Sequence, residues 1–207
     1  ALRRCAQHLG DEPFLLVYGD VLATGNPVTR VLQQYTETGG MVAALSLPGS
    51  SGEFGNVYLN QEMRITRLVE KPSDPHMSNY VFAGFFLLQP EVFSLLDQQG
   101  GNIEAVWQTL IQTGRLHGAL WEGSWIDIRR PWQILEANHM LMERWDEAVV
   151  HRSVRLEGQV HLHGPVHLEA GVTIGSGSSI KGPCYIGRGS YVGNNALVRP
   201  YTSIGPN

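Results

Sequence analysis

The chain has 207 residues, 43% apolar and 16% charged, with a net charge of -4. That length buries a sizeable core, and that balance gives no basis for nucleic-acid binding or for adhesion to an anionic membrane. The longest strongly apolar run, residues 81–88, is far too short to span a bilayer, and two distant cysteines, Cys5 and Cys184, give no disulfide framework or metal spacing and suit a reducing cytoplasm.

In chain order, residues 2–9 read as the end of a helix. Residues 14–18 form a short apolar strand of the kind buried in a parallel sheet, closed by Gly19-Asp20. Residues 27–38 predict a helix with Asn26 as its N-cap and Pro27 in its first turn, stopped by Gly39-Gly40. Residues 41–47 are a second apolar strand. Residues 57–59 and 65–69 can pair around Asn60-Gln61-Glu62, and residues 80–88 are a third core strand. Helices follow at 90–96 and 103–112, and a strand at 116–121. Residues 131–148 predict a long amphipathic helix with Ile134, Leu135, Asn138, Leu141, Met142 and Trp145 near one face. Strands alternating with helices predict a mostly parallel sheet covered on both sides.

From Leu156 the pattern changes. Every sixth residue is a large aliphatic: Leu156, Leu162, Leu168, Ile174, Ile180, Ile186, Val192, Val198 and Ile204. A smaller residue follows four positions later, as at Val160, Val166, Val172, Ser178, Cys184 and Ser190. A period of six fits neither a helix nor a simple strand. It predicts coils of short strands, with the aliphatic pointing inward and glycine or asparagine at the corners. A regular β-sandwich is the competing reading. The expected division is 1–148 for the α/β part and 149–207 for the coils. The chain lacks a starting Met and ends inside a repeat, so it is expected to be a fragment.

Few residues stand where chemistry can occur. Asp20 follows the end of an apolar strand, the edge at which open α/β sheets bind ligands, and a carboxylate there can hold Mg²⁺. By itself it reads first as a turn-capping aspartate. Asp127 is an acid flanked by Trp125, Ile126 and Ile128, so it needs a partner or a metal to stay charged. A salt bridge to Arg129 or Arg130 meets that need as well. Glu70-Lys71-Pro72 follows a strand, where a lysine can neutralise a phosphate and a carboxylate can accept sugar hydroxyls; an exposed charged turn is the plainer reading. His151, His161, His163 and His167 read as an outward face rather than a metal site. The tryptophans read as core or domain-interface anchors.

In order, Phe14-Leu15-Leu16-Val17-Tyr18-Gly19-Asp20, Phe54-Gly55, Val69-Glu70-Lys71-Pro72, Asn79-Tyr80-Val81-Phe82-Ala83-Gly84, Trp125-Ile126-Asp127 and Pro131-Trp132 form a series. It resembles the sugar-1-phosphate nucleotidylyltransferases, and with the hexads it looks most like the archaeal-type bifunctional uridylyltransferase/acetyltransferases. The resemblance implies an α/β fold: the C-terminal part of a Rossmann-like nucleotidyltransferase domain with a mixed or parallel sheet, then a left-handed parallel β-helix. It implies transfer of a nucleotidyl group, from UTP or dTTP, to a sugar 1-phosphate. Asp20 and Asp127 would hold Mg²⁺, Lys71 would contact the sugar phosphate, Glu70 and the Gly55 amide would hold sugar hydroxyls, and Gly84 would let a strand pass close to the sugar. It also implies a cytoplasmic homo-oligomer, a trimer through the β-helix. The family's glycine-rich nucleotide loop belongs upstream of Ala1, and Arg129 stands where the family has a small residue. A second, acetyl-transferring activity and a non-catalytic regulatory role are the alternatives.

Overall fold

The structure is a computed structural model and describes residues 2–47, 55–69 and 80–207. It divides into two compact units, Ala1–Asp127 and Ile128–Asn207. The segment 131–148 lies within the second of these units.

The first unit runs α1 (Ala6–Leu9), β1 (Phe14–Val17), β2 (Val21–Ala23), α2 (Pro27–Thr38), β3 (Met41–Ser46), β4 (Asn56–Leu59), β5 (Ile65–Val69), β6 (Val81–Leu88), α3 (Glu91–Gln98), α4 (Ile103–Gln112), β7 (Leu116–Leu120) and β8 (Trp125–Asp127). Local chemistry sets the ends of α2. The Asn26 side chain accepts the Thr29 N–H at 3.0 Å, and Gly39 at φ 65° donates its N–H to the Tyr35 carbonyl. The main sheet has the order β1-β6-β3-β7. β3 and β7 are parallel, and β6 runs antiparallel to both of its neighbours. The sheet is thus mixed rather than mostly parallel. An apolar run reports burial on both faces but not strand direction.

Alternation along β3 divides the core between two faces. Met41, Ala43 and Leu45 pack with Phe86, α3, α4 and the β4–β5 hairpin, where Phe86 stacks on Trp107 at 4.8 Å. Val42 and Ala44 pack with Phe85, Leu87 and Val31 of α2. β1 departs from its apolar sequence. It lies at one end of the strand order, and Leu15 and Val17 are 39% and 42% exposed. Its alternate residue Phe14 is buried.

His117, near the start of β7, is only 7% exposed. A Cβ on Gly40 would stand 2.7 Å from its ring, so only glycine fits there. Burial, and secondly the nearby Arg64, pull the His117 pKa below its ordinary 6.5.

In the second unit α5 (Gln133–Met142) precedes β9 (Val149–Val150), β10 (Arg155–Leu156), β11 (His161–His163), β12 (Val166–Leu168), β13 (Thr173–Ile174), β14 (Ser179–Lys181), β15 (Cys184–Ile186), β16 (Tyr191–Val192), β17 (Leu197–Val198) and β18 (Thr202–Ile204). These strands build a parallel β-solenoid of three sheets, β10-β13-β16, β11-β14-β17 and β9-β12-β15-β18. Leu156 pairs with Ile174 and Ile174 with Val192, so each coil takes three hexads. Most of the six-spaced aliphatics line the core, as expected, although the first, Leu156, is exposed. Buried Ser178 and Ser190 are paired across coils. Ser178 Oγ donates to the Gly193 carbonyl at 2.8 Å and accepts the Ala196 N–H at 3.1 Å, and Ser190 Oγ donates to the Gly205 carbonyl at 2.7 Å. Buried Cys184 is a core thiol whose pKa burial pushes up to about 11.

The helix expected at 131–148 is shorter, and its expected face is split. Met142 is buried, while Ile134 and Leu135 are 53% and 67% exposed. Two ring stacks hold this segment to the coils: His139 on Tyr201 at 3.9 Å and Trp145 on His167 at 3.7 Å. His139 lies within α5 and Trp145 three residues past its end, while Tyr201 lies close to two coil steps beyond His167, each step roughly 4.8 Å. His151, His161 and His163 are exposed as expected, while His167 is half-buried under Trp145.

Two outcomes follow from these environments. Unfolded chain takes up the imidazole proton near 6.5, whereas folded His117 takes it up only at lower pH. Its contribution is therefore fully present above 6.5 and is lost as pH falls below it. Melting scans from pH 7.5 to 5 should show a downward slope that is shallower in His117→Asn. Ser178→Ala should cost about 1–3 kcal/mol in urea unfolding, because it leaves the Ala196 N–H without its acceptor.

Candidate active site

In the main sheet β1, β3 and β7 point one way, so their carboxyl ends share an edge with the start of β6. Asp20 lies just beyond β1 at this edge, exposed, after Gly19. The chain then leaves the main sheet as β2 and pairs antiparallel with β8. Val21 faces Asp127, Leu22 faces Ile126 and Ala23 faces Trp125. The pairing continues at Thr24, whose N–H donates to the Ser124 carbonyl at 2.8 Å, while the Ser124 N–H donates to Thr24 Oγ1 at 3.2 Å. Gly123 is required here, because any side chain would overlap Trp121 and the Thr24 carbonyl. This ribbon sets Asp127 across from Val21, the residue next to Asp20. The Asp127 side chain is half-buried, with Oδ1 shielded from solvent.

Gly84 lies against the same segment. β6 uses four residue steps, Phe82 to Phe86, where β3 uses two, Leu45 to Ala43. Within this bulge Gly84 has φ +82°, and its carbonyl accepts the Tyr18 N–H at 2.9 Å. A Cβ there would meet Val21 Cγ2 at 2.9 Å and Tyr18 Cβ at 3.4 Å. Gly84 thus makes room for the segment that carries Asp20.

Gly55 immediately precedes β4, whose Val57 N–H donates to the Tyr80 carbonyl at the head of β6. β5 ends at Val69, opposite Asn56. Glu70 and Lys71 come next and lie outside the described residues, as do Phe54, Pro72 and Asn79. The Arg129 and Arg130 amides both donate to Gln133 Oε1 at 2.8 Å, which satisfies free N–H groups ahead of α5.

A cleft of about 480 Å³ opens between the carboxyl ends of β3 and β7. Tyr80, Trp121 and Trp125 wall it, and Ser46, Ser124 and Glu122 bring polar groups to it. Trp125 and Asp127 lie two residues apart in one strand, hence on the same face of the ribbon. The aromatic wall and Glu122 were not among the site residues expected from sequence. Their signal was positional: Trp121, Glu122 and Trp125 follow the carboxyl end of β7 as Asp20 follows that of β1, and Tyr80 stands at the start of β6 on the same edge. Among the described residues no group of three or more His, Cys, Asp or Glu could hold a metal ion. Two carboxylates suit a hard cation that keeps most of its water.

The chain matches two family models, the nucleotidyl transferase model over residues 1–144 and the bacterial transferase hexapeptide model (six repeats) over residues 165–200. It is 33% identical over 165 residues to the Bifunctional protein GlmU of Methanococcus maripaludis, covering 75% of this chain and 39% of the relative. It is 29% identical over 160 residues to the bifunctional sugar-1-phosphate nucleotidylyltransferase/acetyltransferase of Sulfurisphaera tokodaii, covering 72% and 39%. The chain thus spans about two fifths of the length of these relatives. Its fold is similar to the UDP-glucose pyrophosphorylase of Acinetobacter baumannii, with TM-score 0.59, 18% identity and coverage of 69% of this chain and 55% of the other.

Gly84→Ala tests how tightly the segment is held. The strained φ and the contact with Val21 should together cost roughly 1–3 kcal/mol, read as a lower denaturant midpoint.

Proposed function

Because the chain belongs to the nucleotidyl transferase family, we propose that it forms part of an enzyme that transfers a nucleotidyl group from a nucleoside triphosphate to a sugar 1-phosphate. The observation that carries this reading is the β2–β8 pairing, which sets Asp127 opposite the neighbour of Asp20 at the carboxyl edge of the sheet. In the reaction a phosphate oxygen of the sugar phosphate forms a bond to the α-phosphorus. The bond to the β-phosphate oxygen breaks, and pyrophosphate leaves.

Such chemistry depends mainly on positioning and charge. Asp20 and Asp127 hold Mg²⁺, which when bound supplies neutralisation of phosphate charge. Lys71 contacts the sugar phosphate, and Glu70 and the Gly55 amide take sugar hydroxyls. The cleft beside Trp125 seats the ring. The substrate is UTP or dTTP, the setting is the cytoplasm, and the solenoid assembles a trimer. The hexapeptide region favours a second reading, in which the same protein also N-acetylates an amino sugar phosphate. A regulatory subunit without catalysis is the remaining alternative.

Calorimetric titration with Mn²⁺, as a stand-in for Mg²⁺, should show one site in the 207-residue chain that is lost in both Asp20→Asn and Asp127→Asn. Retained binding in either variant would sink the metal assignment. No Gly-x-Gly cluster follows an early strand here to cradle a triphosphate, so this chain alone should release no pyrophosphate from UTP or dTTP with glucose 1-phosphate. Magnesium-dependent release would contradict that.

A further inference from the structure

The cleft is mostly aliphatic and aromatic, and Glu122 is the one charged residue among the described residues that line it. Glu122 is exposed and follows Trp121, which is itself buried and anchored by its N–H donating to the Leu45 carbonyl at 2.9 Å. The next residue, Gly123, has no room for a side chain, so the backbone on both sides of Glu122 is held. A carboxylate only accepts hydrogen bonds. A ligand that satisfies it must bring hydroxyl or N–H donors. A space of about 480 Å³ is only about 10 Å across, close to the screening length at physiological salt, roughly 8 Å. Low-dielectric aromatic walls sharpen the field of a charge inside such a space. An anion carried on the ring itself, beyond the 1-phosphate that the nucleotidyl-transfer reading gives to Lys71, stands within about this distance of Glu122.

We propose that Glu122 is a specificity-determining residue: the cleft accepts an uncharged pyranose, which offers hydroxyl donors, and rejects a pyranose carrying its own carboxylate. This inference rests on the nucleotidyl-transfer reading, because it takes the cleft as the sugar seat. The carboxylate acts both by attraction, as an acceptor for hydroxyls, and by repulsion, as a barrier to the wrong partner. It performs no bond making or breaking.

The test uses the 207-residue chain with glucose 1-phosphate and glucuronic acid 1-phosphate as probes. Trp121 and Trp125 line the cleft, so tryptophan emission reads binding directly. The chain should bind glucose 1-phosphate at least about tenfold more tightly, the size of effect a charged hydrogen bond carries. Glu122→Gln should bring the two affinities to within about threefold, and Glu122→Lys should reverse their order. Unchanged melting temperatures would show that the exposed substitutions leave the fold intact. Equal binding of both probes by the unmodified chain, or unchanged selectivity in both variants, overturns the role of Glu122 and leaves the nucleotidyl-transfer reading standing. Binding of neither probe overturns both.

Discussion

The pairing of β2 with β8 is the constraint on which the candidate site depends. Each strand is only three residues long, too short to persist by its own hydrogen bonds. What holds the pair is its surroundings. Thr24 and Ser124 extend the ladder by side chain and backbone, Gly123 lets Trp121 tuck beneath, and Gly84 opens a bulge against Val21. Three glycine-dependent or hydroxyl-dependent fits thus stand behind the placing of the Asp127 strand beside the Asp20 segment. The irregularity this needs in β6 falls on a glycine, which takes its positive φ without steric cost.

The two halves of the chain differed in how much of them could be read beforehand. In the solenoid each hexad repeats one local choice, aliphatic inward and small residue at the corner, and stacking merely adds the same choice eighteen residues on. Sequence and structure agree there because nothing distant intervenes. The sheet is otherwise. The runs at 41–46 and 81–88 are visible as strands, but the reversal of β6 and the end position of β1 are decided by partners far away in the chain. The helix after Trp132 shows a third case. The face read from the sequence included Trp145, one of the two docking rings, but also Ile134 and Leu135, which are exposed, and it left out the other ring, His139.

The site was legible to different depths. Asp20 and Asp127 are unremarkable aspartates when taken singly, and only the ordered series of motifs gave them a shared role. The backbone pairing now sets their segments side by side. The wall of Tyr80, Trp121 and Trp125 escaped notice for a physical reason: bulky rings usually fill cores, and Trp121 does so with all but one edge. Whether a ring also faces a cleft depends on what lies across from it, which composition and spacing do not encode.

The two ring stacks, one from His139 in α5 and one from Trp145 just past its end, tie two coils of the solenoid to one short segment. Inserting or deleting a single hexad between His167 and Tyr201 would rotate the later corner onto a different side of the triangle, away from His139. Removing eighteen residues would keep the side but shorten the gap by one coil, about 4.8 Å, against an unaltered stretch from His139 to Trp145. Length variation is therefore tolerated past Tyr201 and opposed before it, so the stretch between the two stacks works as a fixed gauge on which further coils can be added.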